Sequence, residues 1–213
     1  MAKNWKPIIF CPALVNEIWD DRKTQTRRLV MPQPAVNLIP VLSVADDWQG
    51  WEFVDRDCIV QLRPKQYRSG DKLWVRETHY RYGEWVKNGI TPTGRQKWEF
   101  KPTEDGFAYE APKGVKPYAY REKAWYKRPS IFMPKSAAQL FLEVTDVRVE
   151  KLQDISTSDI IKEGVYPNMS YLGSANQYRH SFIGLWDELH KKRGYRWDAN
   201  PTVWVNSFRV IDD

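Results

Sequence analysis

Between an apolar stripe and the strand-like pair Leu29-Val30 the chain reads Asp21-Arg22-Lys23-Thr24-Gln25-Thr26-Arg27-Arg28, four cations and two hydroxyls within eight residues. A run this charged is ordinarily a solvated face. Its setting predicts something narrower, a loop leading into a strand. Residues 6–10 read as a short apolar strand. Pro12 suits the first position of a helix, where a missing N–H costs least. Leu14, Val15, Ile18 and Trp19 follow at helical spacing, and Asp20-Asp21 ends the pattern. Loops carried on a rigid scaffold are where chemistry tends to sit. Lys23, Thr24 and Thr26 lie close enough to converge on one small target. Arg22, Arg27 and Arg28 beside them offer planar donor forks suited to phosphate oxygens.

The rest of the pattern is mixed α and β. Residues 31–56, with Pro32, Pro34 and Pro40, read mainly as loop, and residues 58–62 as a strand. Ser69-Gly70-Asp71 marks a turn into the alternating stretch Lys72-Leu73-Trp74-Val75-Arg76-Glu77-Thr78, in which Arg76 and Glu77 face opposite ways. Residues 81–128 hold many Tyr, Trp, Lys and Gly but few aliphatics, which predicts an insertion of short strands and loops. Residues 140–149 form a long strand whose valines change parity near Thr145-Asp146, the mark of a bulge. A short helix is expected over 155–164, with Ser156 and Asp159 at its start and Gly164 as its cap. A longer one is expected over 177–192, its stripe being Tyr178, Phe182, Leu185, Trp186 and Leu189. Residues 202–211 close the chain as a strand with Val203, Val205 and Phe208 inward. The whole reads as one α+β domain, a small mixed β-barrel with helices at its rim.

Composition narrows the partners. The net charge of +6 suits a nucleic acid or nucleotide. The 11 Trp, 11 Tyr and 8 Phe belong mostly to a core, with some free to act as stacking platforms for bases. Trp74 and Trp98 are candidates for that role. Cys11 and Cys58 make no disulfide framework, and His79, His180 and His190 show no metal-ligand spacing. No leader-like segment and no bilayer-length apolar run occurs in the sequence. The expectation is a soluble, cytoplasmic protein with no cofactor, no metal and no membrane partner.

The stretch from Ile18 through Arg28, the Gly70-Asp71-Lys72-Leu73-Trp74-Val75-Arg76-Glu77 strand and Trp204-Val205 with Phe208 together resemble the ASCH domain family, a branch of the PUA-like barrels. Over its length the chain is similar to the larger prophage-encoded ASCH proteins, which share the Lys-Thr-Gln-Thr-Arg-Arg run and the Trp197-Asp198-Ala199-Asn200-Pro201 approach to the last strand. The resemblance implies a PUA-like mixed β-barrel with flanking helices and a large insertion at about 81–128. It also implies a basic cleft for a nucleobase. The best-understood activity in the family is an amidohydrolase that removes the acetyl group of N(4)-acetylcytidine, using a lysine, a threonine three residues later and a glutamate after the long strand. Lys23 and Thr26 match by motif and spacing, and Glu163 is the matching carboxylate.

Amide hydrolysis needs a nucleophile, a proton acceptor and a stabiliser for the oxyanion. In the hydrolase reading Thr26 supplies the oxygen, Lys23 takes its proton and Glu163 orients the lysine or holds the exocyclic nitrogen. Arg22, Thr24, Arg27, Arg28, Trp74, Arg76 and Glu77 are the substrate-binding candidates. Each also has a plain reading: a solvated phosphate contact for Lys23, good strand formers in Thr24 and Thr26, a surface helix carboxylate in Glu163, and a structural ion pair in Arg76 and Glu77. Two other functions fit the same residues. One is a non-catalytic module holding RNA, in preference to DNA, or a modified base. The other, less supported for want of a histidine pair, is a metal-independent ribonuclease.

Overall fold

The structure, a computed structural model, describes residues 5–34, 39–41, 51–55, 58–62, 66–117, 122–167 and 174–212. In chain order the elements begin with β1 (Lys6–Ile9), α1 (Pro12–Trp19), β2 (Gln25–Leu29), β3 (Ile39–Val41), β4 (Trp51–Asp55), β5 (Cys58–Leu62) and β6 (Lys72–Arg76). There follow β7 (His79–Ile90), β8 (Gln96–Ala108), β9 (Ala124–Arg128), β10 (Phe141–Lys151), α2 (Thr157–Lys162), α3 (Ala175–His190) and β11 (Thr202–Ile211). The architecture is α+β. The chain divides into two compact units, one of Met1–Lys6, Asn16–Leu73 and Leu140–Asp213, the other of Pro7–Val15 and Trp74–Gln139.

In the first unit β10, β11 and β2 lie side by side in that order. Antiparallel register pairs Val205 with Arg148 on one side and Arg27 on the other, and Val203 with Glu150 and Leu29. These residues therefore share one face of the sheet. Val203 and Val205 are fully buried there against Leu152, Ile155 and Ile160, and against Phe182 and Trp186 of α3. The expected bulge is present, as a register shift between Val144 and Asp146. In that order β2 has β11 as its neighbour and ends the row, so the described strands form an open sheet, not a closed barrel.

α2 starts at its expected cap, whereas α3 starts at Ala175, two residues before the expected start, behind a Ser174 cap that the sequence reading did not name. Ser156 accepts a hydrogen bond from the Asp159 N–H at the start of α2. At α3 the Ser174 and Gln177 side chains and backbones form a reciprocal capping box. The apolar stripes are narrower than expected: Trp19 of α1 is 50% exposed and Leu189 of α3 is 53% exposed, while Val15, Ile18, Phe182 and Trp186 are buried. Both exposed residues lie in the last turn of their helix.

Part of the segment expected as loop, residues 31–56, is strand. β3 and β4 pair antiparallel, and β4 pairs with β5. Proline had argued against a strand here, but Pro40 lies in β3, an edge of this three-stranded sheet, where a missing N–H breaks no ladder. Residues 35–38 and 42–50, expected as loop, lie outside the described residues.

The second unit holds residues 81–128, where short strands and loops were expected. It contains instead the 12-residue β7 and 13-residue β8, with β9 on the other side of β7. Rings and cations supply the packing that aliphatics do not. Trp85, Phe100 and Tyr126 meet edge to face with centroids 5.4 to 6.3 Å apart. The Arg128 guanidinium lies 4.9 Å from the Trp85 centroid, 4.5 Å from Phe100 and 4.8 Å from Phe132. Gly83 is needed for close approach, since a Cβ there would lie 2.4 Å from the Lys101 carbonyl oxygen.

Candidate functional site

The loop from α1 to β2 is held by main-chain bonds before any side chain acts. The N–H groups of Arg22 and Lys23 both donate to the Glu17 carbonyl, at 2.9 and 2.8 Å. Thr24 N–H donates to Lys162 O, and Phe208 N–H donates to Thr24 O, both at 2.9 Å. Lys23 thereby forms an antiparallel bridge with Glu163, 140 residues away, at the C-terminal end of α2. Gly164 makes this approach possible in two ways. Its φ of +72° is left-handed, and a Cβ there would lie 2.9 Å from Glu17 Cβ and 3.0 Å from Lys23 Cβ.

Lys23 is 2% exposed, which for a lysine demands compensation. Its Nζ donates to Gln25 O at 2.8 Å, Glu163 O at 2.9 Å and Glu163 Oε2 at 2.9 Å. The other carboxylate oxygen of Glu163 accepts from Arg27 Nη1 at 2.9 Å. Arg27, 3% exposed, also donates to Gln25 Oε1, to Glu150 Oε1 and to Asp159 Oδ2. Arg148 reaches Glu150 at 3.2 Å and Asp159 at 3.0 Å. Three cations thus share three carboxylates, and the charges balance. Burial pushes the Lys23 amine below its usual value; the Glu163 carboxylate opposes that, and Arg28 and Arg27 add to it.

The residues singled out in the sequence are placed as follows. Lys23, Glu163 and Arg27 come together in one buried network. Thr26 is 3% exposed and pairs with Asn206 across the sheet, and strand alternation puts it with Arg28 on the face opposite Gln25 and Arg27. Among the described residues no hydrogen bond joins the Thr26 hydroxyl to Lys23 or Glu163. Thr24 is half-buried, and Arg22 is exposed and paired with Glu17 and Asp20 at 2.6 Å. In the second unit Trp74 is 6% exposed, with the Arg76 guanidinium 4.4 Å from its ring centroid, so that ring is covered. Glu77 is buried, and burial holds its carboxyl above the ordinary value of 4.5. Trp98 of β8 is half-buried.

Sequence reading missed Gln25, Arg148, Glu150 and Asp159 as members of the network. The signal was weak but present: Gln25 with Arg27, and Arg148 with Glu150, are same-face pairs two apart on strands. Asp159 had been read only as a cap.

Among the described residues no group of three His, Cys, Asp or Glu is placed to hold a metal, and no helix is long and apolar enough to cross a membrane. Comparison with protein-family models, with curated proteins and with solved structures finds no match.

Proposed function

We propose that the chain is an ASCH-type, PUA-like protein of prophage kind that accepts an N(4)-acylated cytidine, or a related modified nucleoside, in the cytoplasm and hydrolyses its amide. The observation that carries this reading is the Lys23 amine, dry and held against Glu163, three residues before Thr26. A lysine whose pKa is lowered by burial can accept a proton once it has released its own. In the proposed reaction the Thr26 oxygen adds to the amide carbon while its proton passes to neutral Lys23. The C–N bond then breaks, the proton goes to the departing exocyclic nitrogen, and water cleaves the acyl-threonine to regenerate the hydroxyl and release the acid. This scheme requires the Thr26 hydroxyl to reach Lys23 when substrate binds, from the face of β2 opposite the one on which Arg27 meets Glu163.

A second reading, binding without turnover, is favoured by a different observation. All three hydrogens of an Nζ ammonium already have acceptors, in Gln25 O, Glu163 O and Glu163 Oε2. In that case the network is structural and the domain holds a base or an RNA strand.

The test is to incubate the protein with N(4)-acetylcytidine and follow cytidine by chromatography, with Lys23→Ala and the near-isosteric Thr26→Val in parallel and circular dichroism to verify folding. Turnover by the parent and its loss in both folded variants is the expected result. Turnover retained in either folded variant overturns the mechanism. A folded parent that releases no cytidine leaves the binding reading.

A further inference from the structure

Strand β8 ends its row. The order is β8-β7-β9, and among the described residues no strand lies on the far side of β8. Gln96, Lys97, Glu99, Lys101, Pro102 and Thr103 are exposed along it. One side chain shows which way its backbone faces. Gln96 Nε2 donates to Gly89 O of β7 at 2.7 Å and to Lys97 O at 2.9 Å, so the Lys97 carbonyl is turned toward β7. Successive residues of an antiparallel strand direct their N–H and C=O groups to alternate sides. From Lys97, that alternation turns the backbone groups of Phe100 and Pro102 to the open edge. Pro102 agrees with this, since a strand proline belongs with its missing N–H on the open side.

An open edge is commonly guarded by lysine, and Lys97 and Lys101 are such guards. The charge of the whole unit acts in the same direction. Residues 7–15 and 74–139 contain 13 Lys and Arg against 7 Asp and Glu, which from totals of 33 and 27 leaves 20 of each sign in the first unit. Two copies therefore repel unless an acid lies where they meet. Glu99 is an acid in that place, on the same face of β8 as Lys97 and Lys101. It accepts a hydrogen bond from Asn88 Nδ2 on one oxygen at 2.9 Å. Neither Glu99 nor Lys101 makes an ion pair among the described residues.

Symmetry then selects a register. A two-fold axis normal to the sheet keeps like faces together only when the antiparallel pairing is centred on a residue. Centred on Lys97, Glu99 or Lys101, the pairing sets a charge against itself. Centred on Trp98, it sets Lys101 against the partner's Arg95. Centred on Phe100, it sets Glu99 against the partner's Lys101, Lys101 against the partner's Glu99, and Lys97 against the partner's Thr103. Glu84 of β7 is already opposite Lys101. The row across the joined sheets then alternates in sign: Glu84, Lys101, the partner's Glu99.

We infer that the chain pairs with a second copy of itself along the open edge of β8, antiparallel and centred on Phe100, with Glu99 and Lys101 of each copy facing Lys101 and Glu99 of the other. The two Phe100 residues exchange main-chain hydrogen bonds, and Pro102 keeps the ladder short. One strand edge buries less than the roughly 1,000 Å² of a stable interface, so the dimer is weak and exchanges with monomer. The pairing uses none of the residues around Lys23 and stands or falls apart from the proposed hydrolysis.

The experiment is sedimentation velocity on the full chain from about 5 to about 500 μM, the range in which weak pairs form. It compares the parent, Glu99→Lys, Lys101→Glu and an equimolar mixture of these two variants, with circular dichroism to verify folding. The parent is expected to shift from monomer to dimer as concentration rises. Each single variant sets like charges opposite at both contacts and is expected to dimerise about tenfold or more weakly. Mixing the two variants restores opposite charges at both contacts, which should return dimerisation to within about threefold of the parent. A folded parent that stays monomeric throughout, a dimer as tight in either single variant as in the parent, or a mixture no tighter than its components would each overturn the inference.

Discussion

The two units bury their cations by opposite means. In the first, Lys23 and Arg27 enter the interior with carboxylates for partners, and Glu163 serves both with one oxygen each. In the second, Arg128 lies over Trp85, Phe100 and Phe132, Arg81 over Phe107 at 4.2 Å, and Arg76 over Trp74. A carboxylate partner cancels charge, whereas a ring face leaves it in place. By residue count the first unit is neutral and the second carries +6. A buried ion pair is costly to desolvate and costlier to break. A cation on a ring is modest in energy. The first arrangement makes a dry, charge-balanced cluster; the second surrounds its cations with rings.

The largest effect should come from breaking the shared carboxylate. Glu163→Ala leaves Lys23 and Arg27 buried with a partner missing, and about 3–5 kcal/mol of stability should be lost in urea unfolding. A cost under about 1 kcal/mol, the size of a surface pair, would mean the network is hydrated in solution. Gly164→Ala attacks the same contact through the backbone. Its left-handed φ and the 2.9 Å approach to Glu17 Cβ predict a loss of roughly 1–3 kcal/mol by the same measurement. In the second unit Arg128→Met keeps much of the stem and removes the cation. It should cost only about 1 kcal/mol; a loss as large as that of Glu163→Ala would erase the contrast between the units.

The smallest effects have opposite signs in the two units. Burial, aided by Arg193 and Arg28, lowers the His190 pKa from 6.5 to about 4. Unfolded chains take up a proton below 6.5 that the native state refuses, so stability is lost as pH falls from 6.5 toward 4. Replacing this ring by His190→Gln should flatten that loss when urea midpoints are compared across the window. Glu77 behaves in reverse. Its raised pKa means the native state retains a proton that the unfolded state releases, so stability falls as pH rises through 4.5 to the higher folded value. Glu77→Gln should therefore be more stable than the parent at neutral pH, with the gain shrinking below 4.5. A gain of the same size at both ends of the range would assign it to packing instead.

What the sequence disclosed follows from the range of the interactions. Ser156, Gly164 and the valine parity change in β10 are local signals, and the elements they mark are where they were expected. Gly83, Trp85 and Phe100 form strands by pairing across a long hairpin, which no aliphatic alternation announces. The site divides the same way. The segment from Lys23 to Arg28 stood out at once as a charge cluster. Its union with Glu150 and Asp159 depends on the register that aligns Arg27, Val205 and Arg148, and that register is a property of three distant segments.

The most direct test of the dry Lys23–Glu163 pair is the titration of the Lys23 side chain itself, followed by NMR of its Nζ and Cε with Lys23→Arg to assign the signals. Burial in this network predicts a midpoint below the ordinary 10.5. A midpoint at or above 10.5 would place Lys23 in a solvated or dominant ion-pair setting, and would remove both the dry site and the proton acceptor that the proposed hydrolysis requires.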